Sequence, residues 1–225
     1  MKIKLFKIIS FLGLILLGQG CTGTQSSVNE NASNPSVNEP PPLVVTPQSL
    51  INELNAMRAN PRGYAQYLRQ WLPYFQGNVL ALPNQIRRQT SEGKNVVIET
   101  IQALDNHASL NALKTSSGLG KAATDHVRDQ AKGATGHVGS DGSHVWDRAD
   151  RYGKWNLEIG ESIAYGRNDA RGFILQLLVD DGVSDRGHRK TLLDGKWNLV
   201  GAATGSHARF NAMCVLVFAT EYIEK

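Results

Sequence analysis

Cysteine is scarce in this chain. Its 225 residues include only Cys21 and Cys214, which excludes a small scaffold stapled by several disulfides. The folded part must therefore be held by its core and hydrogen bonds. Long hydrophobic runs are also missing. The apolar stretch from Ile8 to Leu17 is too short to span a bilayer as a helix. No internal repeat is visible, which argues against a solenoid or propeller. A basic stripe is absent too. Lys2, Lys4 and Lys7 supply three of the four net positive charges, and the rest of the chain is nearly neutral. Without basic residues interleaved with aromatics to track phosphates, no nucleic-acid partner is expected. Nor is there a Gly-x-Ser-x-Gly elbow. Ser140, Ser143, Ser162 and Ser184 lie near histidines in sequence, and Ser162 beside Glu161 is the best nucleophile among them, but no oxyanion site can be read.

What is present begins with a leader pattern: three lysines, the short apolar run, then Gly18 and Gly20 before Cys21. Residues 1–20 read as a signal peptide. A cysteine at that place resembles a bacterial lipobox, in which the thiol is acylated, so Cys21 is the expected lipid attachment point. Ordinary secretion with Cys21 as a bystander is the alternative. Residues 21–46 are rich in Asn, Ser, Glu and Pro, ending in Pro40-Pro41-Pro42, and read as a solvated tether. The expected location is therefore the cell envelope or the extracellular space, with a membrane as partner through the lipid.

From residue 47 to 225 the pattern is that of one domain. Hydrophobic residues make up 41% and charged residues 20% of the chain, ordinary for a globular protein. Thr46 can cap a helix with Pro47 at its first position. Leu50, Ile51, Leu54 and Met57 then recur at helical spacing, and Asn60-Pro61 breaks the run before a second helix carrying Tyr64, Tyr67, Leu68 and Trp71. The stretch from Phe75 to Gly93 is unpatterned and reads as a loop-rich excursion. Further helices are expected at 95–104, 118–132, 145–152 and 170–181, the last capped by Asn168 or Asp169. Segments 159–165, 200–204 and 212–222 read as β. Helices before and between late strands give an α+β layered domain, expected to be monomeric. Cys214, within an apolar run, reads as a buried small hydrophobe.

Several short motifs then appear in order. Leu54-Asn55-Ala56-Met57-Arg58-Ala59-Asn60-Pro61, Gly136-His137 followed by Gly139 to Ser143, Asp147-Arg148 with Arg151-Tyr152-Gly153, Gly160-Glu161-Ser162, and Gly187-His188-Arg189 together resemble the CAP superfamily of secreted domains (cysteine-rich secretory, antigen-five and pathogenesis-related proteins). Val200-Gly201-Ala202 and Val215 to Phe218 are similar to the family's closing hairpin. Ser162 departs from the family's Gly-Glu-Asn. The resemblance implies a three-layer α-β-α sandwich with a central cavity lined by two histidines and two acids. Matched residue by residue, these are His137, His188 and Glu161. The second acid is chosen by helical phase: Ala170, Phe173, Ile174, Leu177 and Leu178 form one face, with Asp181 near its centre and Asp180 at its edge, so Asp181 is preferred and Asp180 is the alternative.

Two imidazoles with carboxylates can hold a divalent ion, zinc foremost, or polarise a water for hydrolysis. His137, Glu161, Asp181 and His188 are thus the candidate metal ligands, and His137, Glu161 and His188 the candidate catalytic groups of a metal-assisted hydrolase. Binding of a small molecule, lipid or protein without turnover is the leading reading. A purely structural or adhesive envelope module is the third. Of the other histidines, His126 is expected near the packed side of its helix, and His107, His144 and His207 are expected to be exposed. Arg189 is expected to pair with Asp185 or another acid, and Trp155 and Trp197 to cover core edges.

Overall fold

The computed structural model describes residues 45–225. The expectations for the leader, Cys21 and nearly all of the tether lie outside the described residues. The folded unit opens on α1 (Pro47–Ala59), capped as the sequence suggests. Thr46 accepts from the Ser49 amide, and Ser49 reaches back to the Thr46 backbone. The preceding Val45 is already buried, and its carbonyl accepts from Thr204 Oγ1. Asn60 ends α1 and caps α2 (Pro61–Arg69) through its side chain, with Pro61 at the first turn.

The excursion expected to be loop holds a small antiparallel sheet of β1 (Phe75–Gln76), β2 (Val79–Leu80) and β3 (Arg88–Gln89). Pairs of two residues are too short to leave an alternation in sequence. Next come α3 (Lys94–Asp105), β4 (Lys114–Thr115), α4 (Ser117–Gln130), α5 (Val145–Asp150), β5 (Gly153–Tyr165), α6 (Ala170–Val179), α7 (Gly187–Leu192), β6 (Leu199–His207) and β7 (Asn211–Glu224). The expected strand at 159–165 is twice as long as read. Its first half is masked in sequence by a bulge between Asn156 and Ile159, with Leu157 at φ 65°.

The main sheet has the order β4-β6-β7-β5, parallel between β4 and β6 and antiparallel elsewhere. β7 explains the layering. Ala212, Cys214, Leu216 and Phe218 join one core with α1, α2, α3 and α6, whereas Met213, Val215, Val217 and Ala219 join another with α4 and α5. Both faces of the strand are apolar, so both must be covered, and a three-layer α-β-α sandwich results. Cys214 is fully buried as expected, and burial pushes its thiol far up, leaving it a packing residue.

Candidate functional site

β5 is an edge strand of the main sheet. Beyond it the two helical layers meet, and each contributes a histidine. From the α4–α5 side comes His137, in the loop after α4. Gly136 precedes it at φ 102°, a conformation that a residue with a Cβ rarely adopts. The loop is fixed by Arg148 of α5, whose guanidinium donates to the carbonyl of Ser143 at 2.8 Å and more weakly to that of His137 at 3.4 Å. From the other side comes His188, on the first turn of α7. The imidazole centroids of His137 and His188 lie 6.5 Å apart, with the rings tilted by 31°. Chain segments 51 residues apart in sequence are thus brought to one place, as the resemblance implied.

Each imidazole is held by its own acid. His137 Nδ1 lies 2.9 Å from Glu161 Oε1, and His188 Nδ1 lies 2.6 Å from Asp180 Oδ1. With Nδ1–H donating to a carboxylate, Nε2 is left as the lone-pair nitrogen of both rings. Glu161 sits on the same face of β5 as Ile163 and Tyr165, opposite Val217 of β7. Its second oxygen accepts from Arg148 Nη2 at 2.6 Å, and both side chains are buried. Burial alone would push the Glu161 carboxyl up. The His137 hydrogen bond and the Arg148 charge outweigh that, and the net shift is below the usual carboxylate range.

The second acid is Asp180, not Asp181, which corrects the expectation from helical phase. α6 ends at Val179, and Asp180 adopts a left-handed conformation, φ 56° and ψ 40°. A face projected at 100° per residue no longer applies past that point. The turn swings Asp180 under α7, where its Oδ2 accepts from the amides of His188 and Arg189 at 2.9 and 3.2 Å. Asp181 faces away and accepts from the amides of Ser91 and Glu92 at 2.7 and 2.8 Å, tying down the end of the 75–93 excursion.

A four-ligand cage of two imidazoles and two carboxylates is not what the side chains form. Among the described residues no group of three or more His, Cys, Asp or Glu is arranged to hold a metal ion. The carboxylates stand behind the rings as orienting groups. The two imidazoles are the groups left toward a cation, and water or a ligand oxygen would have to complete any coordination. A tetrahedral zinc with Zn–N bonds of ~2.0–2.1 Å would place the two ring centroids roughly 5 Å apart, and the observed 6.5 Å is wider than that spacing.

Arg148 escaped sequence reading as a site residue. Its helical spacing beside the buried Val145 and Ala149 could have disclosed it. Arg189 is buried, but its acid is Glu99 at 2.7 Å. It also donates to Thr100 and to the carbonyls of Leu178 and Val179, closing the end of α6. Asp185 instead accepts from the Gly187 amide. His126 is fully buried, as expected of its helix face, with Nε2 2.8 Å from the Gly136 carbonyl. His207 is buried as well, contrary to expectation. It stacks on Phe210 and its Nε2 lies 2.8 Å from the Ala134 carbonyl, so it anchors the start of the His137 loop. His107 and His144 are half-buried, and His144 stacks on Trp146 at 4.4 Å. Trp197 is buried and Trp155 half-buried, at the edges of the two cores. Ser162 is fully buried and its hydroxyl has no partner among the described residues.

Beside His188 and Asp180 opens a cavity of about 190 Å³. The 75–93 excursion covers it, with Phe75, Leu80 and Arg88 in its lining opposite Trp71, Arg167 and Leu175.

The family profile for the cysteine-rich secretory proteins (CAP) matches residues 51–219. The chain belongs to the CAP family. The match runs from α1 into β7 and so includes both histidines, both acids and the central sheet up to Ala219. No curated protein matches the chain. Two solved structures are similar to this CAP domain. One is an outer surface protein of Borrelia burgdorferi, 17% identical, covering 52% of this chain and 80% of its own, with a TM-score of 0.42. The other is an extracellular protein containing an SCP domain from Bacillus anthracis str. Ames, 21% identical, with a TM-score of 0.41; the match covers 57% of this chain and 40% of that one.

Proposed function

We propose that this CAP domain is exported and acts by binding rather than turnover, with the His137–His188 cavity holding a divalent cation or a small ligand at the cell envelope. One observation carries the reading: two imidazoles 6.5 Å apart, each with Nδ1 committed to a separate buried acid. That arrangement commits each Nδ1 to a carboxylate and leaves Nε2 as the free nitrogen of each ring, as a second shell of carboxylates does behind metal-bound histidines. Glu161 is engaged by Arg148 as well as His137, so it is not a free general base, and Ser162 is buried. These points weigh against a hydrolase built on either residue. Export and anchoring rest on the leader pattern and on Cys21.

Zinc titration by calorimetry is the direct test. Two protein ligands predict weak, one-to-one binding that disappears in the His137→Ala, His188→Ala double variant. A wild type that takes up no zinc removes the cation from this reading. Peptide hydrolysis that vanishes in Glu161→Gln, with the fold retained, would overturn the preference for binding.

A further inference from the structure

Two buried side-chain nitrogens of the α4–α5 layer have no hydrogen-bond partner among the described residues: His126 Nδ1 and Arg148 Nε. Both side chains belong to residues at most 1% exposed. Their other polar atoms are engaged. Arg148 donates through Nη1 to the Ser143 carbonyl and through Nη2 to Glu161, and His126 Nε2 lies 2.8 Å from the Gly136 carbonyl. A ring nitrogen set against a carbonyl carries the proton, and burial disfavours a second one, so His126 Nδ1 is an acceptor. Arg148 Nε–H can only donate. A donor and an acceptor buried without partners are both costly. The two residues line one cleft of about 260 Å³ between α4, the 139–143 loop and α5. That is many times the ~10–15 Å³ that admits one water. The rest of its lining includes Asp125, Asp129 and Asp141 with Arg151, beside Ser140 and Ser143. Arg151 donates to Asp125 and Asp141 at 2.9 and 2.8 Å, and Asp129 accepts from the Ser140 amide at 2.8 Å. These acids are already engaged, which removes the reason for a bound ion, yet their carboxylates keep lone pairs and Arg151 keeps spare N–H groups.

We propose that this cleft binds a neutral polyhydroxylated ligand, a saccharide unit, with one hydroxyl bridging Arg148 Nε and His126 Nδ1. A hydroxyl is the group that fits both, because one oxygen accepts from the first and donates to the second. A carboxylate or phosphate would serve only the arginine, and an ammonium only the histidine. One water would bridge the two nitrogens equally well. What favours a saccharide is the ring around them: the Asp125, Asp129 and Asp141 carboxylates accept and Arg151 donates, so several hydroxyls find partners at once. The cleft shares Arg148 with the imidazole site, but His137 and His188 lie outside its lining. The proposal therefore does not rest on a cation there.

Methyl glucoside, methyl mannoside, methyl galactoside and N-acetylglucosamine, titrated against the full chain and followed by amide and imidazole NMR shifts, test the proposal. Tetraethylene glycol dimethyl ether, which accepts hydrogen bonds but donates none, is the control. At least one sugar is expected to bind saturably with a Kd of roughly 1–10 mM, the range open to a ligand of so few atoms. Its amide shifts should centre on Ser140, Asp141 and Ser143. The His126 Nδ1 nitrogen resonance should move with the same Kd, and the ether should move neither. Ser140→Trp fills the mouth of the cleft from an exposed position. With melting temperature retained, it should weaken that sugar by about tenfold or more. No saturable shift from any of the sugars, or an equal response to the ether, overturns the proposal, and this comparison needs no variant. A His126 Nδ1 signal that stays fixed while a sugar saturates also overturns it, and leaves buried water as the partner of the two nitrogens.

Discussion

Asp180 and Asp181 are adjacent and chemically identical, yet they serve different segments. One orients an imidazole and the start of α7; the other anchors the end of the excursion. Helical phase favoured Asp181 because it assumes that a helix continues. The left-handed turn at Asp180 is set by how α7 docks, a tertiary fact with no marker at that residue. Asp180→Asn is therefore expected to weaken zinc binding by roughly 10–100-fold, the usual effect of losing the group behind a metal-bound histidine. Asp181→Asn should leave zinc affinity alone and speed amide exchange at Ser91 and Glu92. Equal loss of zinc in both variants would refute the assignment. Glu161, by contrast, was legible from its motif, and its position on β5 adds the Arg148 partner that the motif could not name.

The elements owe their places to local patterns that sequence reading catches well when they are long. The Thr46 cap, the Asn60-Pro61 break and the Asp169 cap of α6 all depend on side chain–backbone bonds within a few residues. The short pieces were illegible for the opposite reason. β1, β2 and β3 span two residues each, and β4 exists only because Lys114 and Thr115 lie beside β6. Packing between elements is decided at single close approaches. At Gly201 of β6, a Cβ would run into the backbone of Leu119 and Gly120 on α4. Gly201→Ala should unseat α4 from the sheet, at a cost of about 3 kcal/mol or more. Urea denaturation measures it; a change within ~0.5 kcal/mol of wild type would show that the contact yields.

At the scale of the molecule, charge ties the layers together. Arg186 bridges Glu92 and Glu99, and Arg189 adds a second contact to Glu99, so α3 is joined to α7. Hydrogen bonding to Arg186 holds Glu99 down at about 2, against an ordinary 4.5, and Glu92 is lowered as well. The sign comes from proton uptake: between these values the unfolded chain binds protons that the folded one refuses. The stabilising contribution is thus complete above pH 4.5 and is lost as pH falls toward 2. Glu99 is nearly half exposed, which reduces the size of the effect but not its direction. Melting temperature should fall over that window, and the fall should be shallower in Glu99→Gln. An identical slope in the variant would mean that other carboxylates govern acid unfolding.

By itself the sequence determined the layered class and the long helices and strands, because hydrophobic periodicity and caps are local properties of the chain, while the resemblance of its short motifs to the CAP family singled out both histidines and Glu161. Only the tertiary structure decided that Asp180 faces His188, that Arg148 joins the site, that His207 is buried, and that Arg88 and Arg167 share a cavity. Each depends on segments distant in sequence meeting at the edge of the sheet. Which polar group a buried charge finds there is fixed by three-dimensional proximity, and one-dimensional spacing does not encode it.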